Sequence, residues 1–357
     1  MALALTLGRR GLGRTWPNPA VGAVIVKDGL IVGRGWTQVG GRPHAEVEAI
    51  HRAGTAARGA TLYVTLEPCS HHGKSPPCAN AVIAACIARV VSALEDPNLE
   101  VAGAGHARLR AAGIAVDVGL AAEAARRDHA GHICRMRDGR PHVTLKLAVS
   151  ADGKVGAADR RPVAITGETT RERVHLLRAQ SDAIMTGIGT VLADNPILTC
   201  RLPGMADRSP VRIVLDGKAR LPSRARLVAS AREVPLWVVT GPEPPADATE
   251  ALEAAGATVL SLPRAGERLD LAEVLRLLSE RGISRLMVEA GPILAAALVD
   301  ADLVDQVALF RSDKVVGADG LDALEGLPLA ALTQSPRFVR IGSEAVGEDR
   351  CEIFERR

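Results

Sequence analysis

The pattern of hydrophobic and polar positions over the first 120 residues predicts a three-layer α/β domain. Residues 21–27 and 30–36 are apolar runs joined by Asp28-Gly29, a dipeptide typical of a tight hairpin turn. Further strands are predicted at residues 61–66, 89–94 and 114–118. Helical character is seen just after His44, at residues 79–88 and 107–112, and over residues 121–137.

This pattern ends at a turn-prone segment and then starts again. The segment Asp138-Gly139-Arg140-Pro141 combines turn residues, and a strand pattern resumes at Val143. More strands are predicted at residues 183–186, 211–215, 236–240, 258–260 and 286–289, with helices between them. A chain of 357 residues is too long for one average domain. We therefore predict two α/β domains, covering residues 1–139 and 140–357.

Four residues of the first half have the side chains, in the right order, of a catalytic zinc site. His44 is followed by Glu46, and Cys69 and Cys78 come later in the chain. Zinc deaminases hold their metal with His and two Cys, and a Glu that is not a ligand moves protons beside it. Cys69 follows a predicted strand and Cys78 opens a predicted helix, so both thiols can reach one ion. We therefore interpret His44, Cys69 and Cys78 as metal ligands.

The chemistry of deamination explains this choice of residues. Zinc with three protein ligands keeps an open position and lowers the pKa of a bound water to about 7, which makes hydroxide available near neutral pH. Glu46 lies two residues beyond His44, so it can carry a proton from that water to the leaving ammonia. A zinc ion that only stabilises a fold would need four protein ligands and would leave Glu46 without a role.

Composition argues against nucleic-acid and membrane partners. The chain contains only three Trp, one Tyr and three Phe, and its net charge is +3, whereas single-stranded nucleic acid is bound by stacking aromatics and basic clusters. No apolar run approaches the ~20 residues of a membrane helix. The first basic residues follow an apolar run, the reverse of a secretory signal. We expect a soluble, cytoplasmic protein that forms a homo-oligomer.

The second half is rich in glycine but lacks the dinucleotide-binding turn of a Rossmann domain. The Gly-x-Gly triplets all lack the third glycine of that turn, and they begin at Gly11, Gly33, Gly103 and Gly187. Residues 187–196 and 289–292 each pass from a strand to a helix, where backbone amides can hold a pyrophosphate; an ordinary strand–helix turn explains them equally well. Arg178 and Arg201 are candidate phosphate clamps, or else solvated surface residues.

Longer motifs carry a resemblance to a known family. Residues 65–78 read Thr-Leu-Glu-Pro-Cys-Ser-His-His-Gly-Lys-Ser-Pro-Pro-Cys, with eight residues between the cysteines where many zinc deaminases have two. With residues 17–22 and 95–98, this string resembles the deaminase half of the bifunctional riboflavin-biosynthesis deaminase/reductase family. Residues 145–147, 150–154, 177–181, 189–196 and 288–292 resemble its reductase half, in order. The resemblance extends from about Leu3 to about Phe354.

The resemblance implies both folds and both activities. It implies an N-terminal cytidine-deaminase-like three-layer domain with one zinc ion, and a C-terminal dihydrofolate-reductase-like domain that uses NADPH. The deaminase would convert 2,5-diamino-6-(5-phosphoribosylamino)pyrimidin-4-one to 5-amino-6-(5-phosphoribosylamino)uracil. The reductase would then reduce the ribosyl group to a ribityl chain. The alternative is a zinc deaminase of another free base or nucleoside, joined to a weak or inactive reductase domain.

The resemblance also implies roles for individual residues. In the deaminase half, substrate contacts are expected from Asn18, His71 and Lys74. In the reductase half, Lys146 is the expected catalytic proton donor. Its substrate-binding residues are expected to be Arg178, Leu198, Arg201 and Glu289. The expected NADPH contacts are Ala148, Ala164, Thr190, Asp194, Gly217, Gly291 and Pro292.

Three positions depart from the family's pattern. Thr37 stands where a His is usual, and Pro162 and Ala164 stand where Ser and Trp are usual. The zinc chemistry does not involve these positions. A Trp at the position of Ala164 would bury a large apolar surface beside the cofactor, so we expect this reductase to bind its ligands more weakly.

Overall fold

The computed structural model describes residues 1–71, 75–99, 101–159, 161, 163–266 and 268–357. Lys74 and Pro162, which the sequence motifs singled out, lie outside the described residues. The chain divides into one unit of Met1–Pro141 with Ser279–Ser284, and a second of His142–Leu278 with Arg285–Arg357. The sequence placed the domain boundary after Gly139 and gave no sign that Ser279–Ser284 groups with the first unit.

The first unit is built on a five-stranded sheet. Its strands are β1 Gly22–Lys27, β2 Leu30–Trp36, β3 Thr61–Val64, β4 Arg89–Ser92 and β5 Ala115–Val118. Their order is β2-β1-β3-β4-β5, with β1 antiparallel to both neighbours and β3, β4 and β5 parallel. The helices are α1 Ala2–Arg9, α2 Ala45–Ala53, α3 Cys78–Ala84, α4 Ala104–Ala111, α5 Ala122–Asp128 and α6 Ala130–Asp138.

Helices cover both faces of this sheet, as the predicted three-layer fold requires. Successive residues of a strand point to opposite faces. Accordingly, Ile25 of β1 packs in the core cluster that contains Ala45 and Ala49 of α2. Its neighbour Val24 packs instead with Ala4 and other residues of α1. The sequence motifs had not indicated α1, because its apolar run was considered only as a possible targeting signal.

Glycines in β2 bring helix α2 unusually close to the sheet. A Cβ atom added to Gly33 would lie 2.3 Å from the carbonyl oxygen of Ala49, and one added to Gly35 would lie 2.1 Å from that of Ala45. Any larger residue at these two positions would push α2 away from the sheet. The position of Glu46, in the first turn of α2, therefore depends on the absence of side chains in β2.

Several predicted elements of the first unit differ from their expected bounds. Strand β3 ends at Val64 rather than at residue 66, shortly before Pro68. Helix α3 ends at Ala84 because Cys86 adopts a φ of 54°, which stops the helix, and Ile87 N–H bonds back to the carbonyl of Val82. The predicted helix over residues 121–137 is two helices that meet at His129, whose buried ring lies 3.0 Å from the Thr65 hydroxyl.

The second unit is built on a nine-stranded mixed sheet. Its order is β11-β10-β9-β8-β14-β6-β15-β18-β17, parallel from β11 to β15 and antiparallel at β18 and β17. The strands of this sheet are β6 His142–Val149, β8 Ala183–Gly187, β9 Val211–Leu215, β10 Leu236–Thr240, β11 Thr258–Ser261, β14 Arg285–Val288, β15 Gln306–Arg311, β17 Phe338–Val346 and β18 Asp349–Arg356. The short strands, outside this sheet, are β7 Lys154–Gly156, β12 Arg264–Ala265, β13 Arg268–Leu269 and β16 Leu321–Asp322.

Helices connect the parallel strands of this sheet. They are α7 Glu168–Ala179, α8 Ile188–Asp194, α9 Arg226–Ala229, α10 Ala246–Ala254, α11 Leu271–Glu280 and α12 Pro292–Asp300. Helix α13 Ala330–Thr333 precedes the antiparallel strand β17. Of the nine strands of this sheet, the sequence patterns predicted β6, β8, β9, β10, β11 and β14 but missed β15, β17 and β18. Of the helices in the described part of the chain, none has the length and apolarity that a membrane span needs.

We predict that Gly33→Ala destabilises the first unit. The new methyl group would meet the Ala49 carbonyl oxygen at 2.3 Å, and overpacking of this kind typically costs about 1–3 kcal/mol. Thermal and urea unfolding of the full chain would measure this loss. Gly342→Ala is the matched control, since no described atom lies within 4 Å of its added Cβ. Equal stability of the two variants would contradict the close packing of α2 on β2.

Candidate active sites

Three side chains from three separate segments converge in the first unit. His44 is the residue before α2, Cys69 lies in the loop after β3, and Cys78 is the first residue of α3. His44 Nδ1 lies 3.2 Å from Cys78 Sγ and 3.7 Å from Cys69 Sγ, and the three atoms lie within 4.8 Å of one another. Neighbouring ligands of tetrahedral zinc are roughly 3.6 Å apart, given metal–ligand bonds of about 2.0–2.3 Å. These residues therefore fit a zinc ion.

The hydrogen bond between the two thiols makes their pKa values differ, because it raises the pKa of Cys78 and lowers that of Cys69. The hydrogen bond from Cys78 lowers the pKa of the Cys69 thiol to about 4, which favours the thiolate that binds zinc. Glu46 is 3% exposed, and burial raises its pKa to about 7. A carboxyl group with that pKa can both accept and release a proton near neutral pH.

Glu67 anchors the loop that carries Cys69, a role that the sequence motifs did not reveal. Its Oε1 accepts hydrogen bonds from the N–H groups of Gly105 and His106, at 2.7 and 3.1 Å. Its Oε2 accepts those of Asp96 and Gly103, at 3.0 and 2.9 Å. The carboxylate thus caps the N-terminus of α4, where negative charge is favoured. The one sequence feature that could have pointed to this role is the position of Glu67 directly before Pro68-Cys69.

Two of the three residues expected to contact the deaminase substrate, Asn18 and His71, lie in the described part of the chain. The Asn18 side chain donates a hydrogen bond of 2.8 Å to the Gly41 carbonyl, in the segment that leads to His44. His71 is exposed and lies two residues beyond Cys69. Thr37, one of the departures from the family's pattern, is buried, and its hydroxyl accepts a hydrogen bond from Val21 N–H. Thr37 therefore supports the fold of this unit.

The second unit contains a cavity of about 960 Å³ at the carboxyl ends of its parallel strands. Lys146 and Glu289 line it. Lys146 shares with Ala148 the less buried face of β6, as the alternating burial along this strand shows. All the residues expected to contact the cofactor also line this cavity, namely Ala148, Ala164, Thr190, Asp194, Gly217, Gly291 and Pro292.

A buried ion pair lies beside Lys146. Arg178 donates two hydrogen bonds to the carboxylate of Glu289, at 2.6 and 2.9 Å. Burial acts to raise the pKa of Glu289, but the charge and hydrogen bonds of Arg178, with the charge of Lys146, lower it below the ordinary value. Burial lowers the pKa of Lys146, and Glu289 opposes that change. The cavity therefore holds an ionised carboxylate beside an amine that gives up its proton more readily than a solvated lysine.

The other residues expected at the reductase substrate do not line the cavity. Arg178 contacts it only through Glu289, and Arg201 is exposed. The side chain of Leu198 is buried in the core with Ile188 and Val214, so only its backbone is left for contact with a substrate.

The same cavity has features that suit a nicotinamide dinucleotide. Gly291 caps α12, and its N–H donates to the Thr190 hydroxyl at 3.0 Å. The N–H groups of Ile293 and Leu294, in the first turn of α12, have no helical carbonyl partner and can face an anion. The residues that line the cavity therefore fit a nicotinamide dinucleotide.

Comparison with known proteins agrees with this division into two sites. Residues 1–94 match the family model of the cytidine and deoxycytidylate deaminase zinc-binding region, and residues 141–351 match that of the RibD C-terminal domain. The chain is 44% identical over 364 residues to riboflavin biosynthesis protein RibD of Escherichia coli, covering 98% of this chain and 97% of that protein. The corresponding protein of Aquifex aeolicus is 39% identical, with 100% and 97% covered.

Solved structures show the same relationship. RibD of Acinetobacter baumannii superposes with a TM-score of 0.88 at 34% identity, with 100% of this chain and 97% of that chain covered. A diaminohydroxyphosphoribosylaminopyrimidine deaminase/5-amino-6-(5-phosphoribosylamino)uracil reductase from Thermotoga maritima gives 0.86 at 35% identity, with the same coverage.

Fold and sites together define a zinc-binding deaminase domain joined to a reductase domain of the kind that uses a nicotinamide cofactor. The chain belongs to the RibD family of riboflavin biosynthesis proteins. It is a bifunctional enzyme, both deaminase and reductase. The matches span both halves, so a deaminase of another base joined to an inactive second domain is not favoured.

We predict that Cys78→Ser lowers the zinc content of the purified protein, because a serine hydroxyl is not readily ionised and is a poor zinc ligand. Cys86→Ser is the matched control, since Cys86 is exposed and is not part of the cluster. Elemental analysis should give about one zinc per chain for the control and much less for Cys78→Ser. Full zinc occupancy in Cys78→Ser would move the third ligand elsewhere.

Proposed function

We propose that the first unit hydrolyses an exocyclic amine of 2,5-diamino-6-(5-phosphoribosylamino)pyrimidin-4-one and that the second reduces the product with NADPH. The Thermotoga maritima relative carries both activities in its name. The observation that carries the deaminase part is the cluster of His44, Cys69 and Cys78 with the buried Glu46 beside it. The cavity that contains Lys146 and Glu289 supports the reductase part.

In the deaminase, the protein's own residues position the metal and move protons. Bound zinc would supply hydroxide near neutral pH. His44, Cys69 and Cys78 would hold it, and Glu67 fixes the loop of Cys69. Glu46 would accept a proton from the attacking water and deliver it to the amine. The C–N bond then breaks, ammonia leaves, and a carbonyl remains on the ring.

In the reductase, the bound nicotinamide would supply a hydride to C1 of the ribosyl group. The bond from C1 to the ring oxygen breaks, and that oxygen takes up a proton, which gives the ribityl chain. Lys146 is the proposed proton donor, because burial lowers its pKa. Glu289 would hold Lys146 in place and is itself fixed by Arg178. The basic lining of the cavity suits phosphate-bearing ligands.

Three further expectations belong to this proposal. NADPH is the proposed cofactor, and Arg201 remains a proposed contact for the substrate phosphate. The protein is proposed to form a homo-oligomer in the cytoplasm.

The decisive experiment supplies the pyrimidine substrate and NADPH together and follows ammonia release and NADPH oxidation in one reaction. Both signals are expected, with ammonia appearing first. Ammonia release without any NADPH oxidation would overturn the reductase half of the proposal. NADPH oxidation that occurs only with added deaminated substrate would overturn the deaminase half.

We predict that Glu46→Gln slows deamination by at least about 10²-fold, because the amide cannot shuttle protons. Its zinc content and its reduction of supplied deaminated substrate should stay at the level of the unmodified protein. Deamination close to the unmodified rate would show that another group moves the proton.

Lys146→Met is the complementary variant for the reductase. Met keeps most of the side-chain length but cannot donate a proton, so reduction should fall by at least about 10²-fold while ammonia release is unchanged. Each of the two variants is thus the control for the other. Normal reduction by Lys146→Met would remove Lys146 from the catalytic step.

A further inference from the structure

We propose that His175 is a positioning residue of the reductase, which holds the backbone at Arg201 for the phosphate group of the substrate and takes up a proton when that phosphate binds. This inference rests on the proposed function, in which Arg201 contacts the substrate phosphate. It adds a residue that the sequence motifs did not single out and that lies outside the lining of the cavity.

The segment from Leu198 to Arg201 has a backbone conformation that needs support from other parts of the chain. Leu198 adopts a φ of 56°, in the left-handed region that residues with a side chain disfavour. Cys200 N–H donates a hydrogen bond of 3.1 Å to the Ser209 hydroxyl. The other side chains that hold this segment come from helix α7.

Helix α7 contacts the segment with two side chains on one face. His175 and Arg178 are three residues apart, so they project from the same side of the helix. Arg178 Nη1 donates to the Thr199 carbonyl at 3.0 Å. His175 Nδ1 lies 3.1 Å from the same carbonyl oxygen and 3.3 Å from the backbone nitrogen of Arg201. The imidazole ring is therefore placed to fix the backbone at Arg201.

The two contacts of Nδ1 need different protonation states of the ring. One ring nitrogen either donates a hydrogen bond or accepts one, but not both. With its proton on Nε2, the neutral ring accepts the Arg201 N–H through Nδ1. The protonated ring carries a proton on both nitrogens, so Nδ1 donates to the Thr199 carbonyl and the Arg201 N–H loses its acceptor. Protonation thus releases a backbone donor and adds a positive charge, and both changes favour a bound phosphate.

The charged groups around His175 keep its ring neutral when no ligand is bound. They are Arg178 on the same helix, Arg201 on the segment after α8, and Glu289 after β14. Burial lowers the pKa of His175, and the two arginines lower it further, whereas Thr199 and Glu289 oppose this change. Glu289 is already paired with Arg178. The pKa of His175 therefore lies below its ordinary value, and the ring is neutral at neutral pH.

Positive charge at this place is not fully balanced by acidic side chains. In the described part of the chain, Arg201 forms no ion pair, and burial and the nearby arginines lower the pKa of its guanidinium. Strand β17 also packs against α7, but its Glu344 is paired with Arg173. A phosphate dianion beside Arg201 would relieve the repulsion and raise the pKa of His175. Binding then takes up a proton wherever the pH lies between the free and the bound pKa of His175.

Two variants of His175 separate the contact from the proton. Asparagine places a neutral amide near the position of Nδ1, so His175→Asn keeps a hydrogen-bonding group for the segment but cannot take up a proton. His175→Ala removes both. His51→Gln is the matched control, because His51 is an exposed histidine of the first unit. Thermal unfolding of each variant checks that it folds.

The binding test uses titration calorimetry on the full-length protein, with ribose 5-phosphate as the probe and ribose as the control that lacks the phosphate. From about pH 8 to about pH 6, the affinity for ribose 5-phosphate should rise at least about threefold more in the unmodified protein than in His175→Asn, because a pKa shift of one unit is worth up to about tenfold. Comparison of the two proteins at the same pH removes the titration of the phosphate itself, whose pKa is about 6.

The remaining variants test the positioning role. At about pH 8, His175→Asn and His51→Gln should bind ribose 5-phosphate like the unmodified protein, and His175→Ala should bind it at least about threefold more weakly. Ribose should not distinguish the four proteins. The same pH dependence in the unmodified protein and in His175→Asn would overturn the proposal, and so would an unchanged affinity of His175→Ala.

Kinetics with the deaminated pyrimidine add a second readout. His175→Ala should raise the KM for this substrate at least about threefold, while kcat and the KM for NADPH change less than about twofold, because His175 lies away from the cavity where reduction takes place. An equal rise in both KM values would count against a role at the substrate phosphate. If the unmodified protein does not reduce the deaminated pyrimidine, the proposed function fails, whereas calorimetry still decides whether His175 responds to the phosphate.

Discussion

The deaminase site depends on the hydrogen bonds of one buried carboxylate. Glu67 binds four backbone N–H groups of the segment 96–106 and so ties the start of α4 to the loop that carries Cys69. A zinc site needs ligand atoms fixed to within a fraction of an ångström, but Cys69 lies on a loop, which has little rigidity of its own. The Glu67 network supplies that rigidity, and the packing of α2 on Gly33 and Gly35 supplies it for His44 and Glu46.

Electrostatics plays the corresponding part in the reductase site. A buried carboxylate would ordinarily take up a proton, and a buried lysine would lose one. Arg178 keeps Glu289 ionised through two hydrogen bonds, and Glu289 in turn supports the charge of Lys146. Arg178 does not line the cavity and therefore acts on it through Glu289. The basic side chains that line the same cavity complete a surface suited to a polyanionic ligand.

Sequence patterns were most informative where local rules decide structure. The hairpin at Asp28-Gly29 and the strands β6, β8, β9, β10, β11 and β14 follow from short-range periodicity and turn residues. Strand β15 was missed, and it pairs with β6 and β18, which both lie far from it in the chain. Strands β17 and β18 were also missed, although they form a local hairpin with each other. The apolar pattern of residues 79–88 likewise does not reveal the positive φ of Cys86, which ends α3.

The sequence by itself indicated the chemistry of this protein, because the residue types and spacing of His44, Glu46, Cys69 and Cys78 predict a metal site with a proton shuttle beside it. Only the tertiary structure decided which other residues support that chemistry. Glu67 meets its partners across about 30 to 40 positions of the chain, and Arg178 meets Glu289 across more than 100. Such pairs leave no local pattern, because they form only when the sheet brings distant segments together.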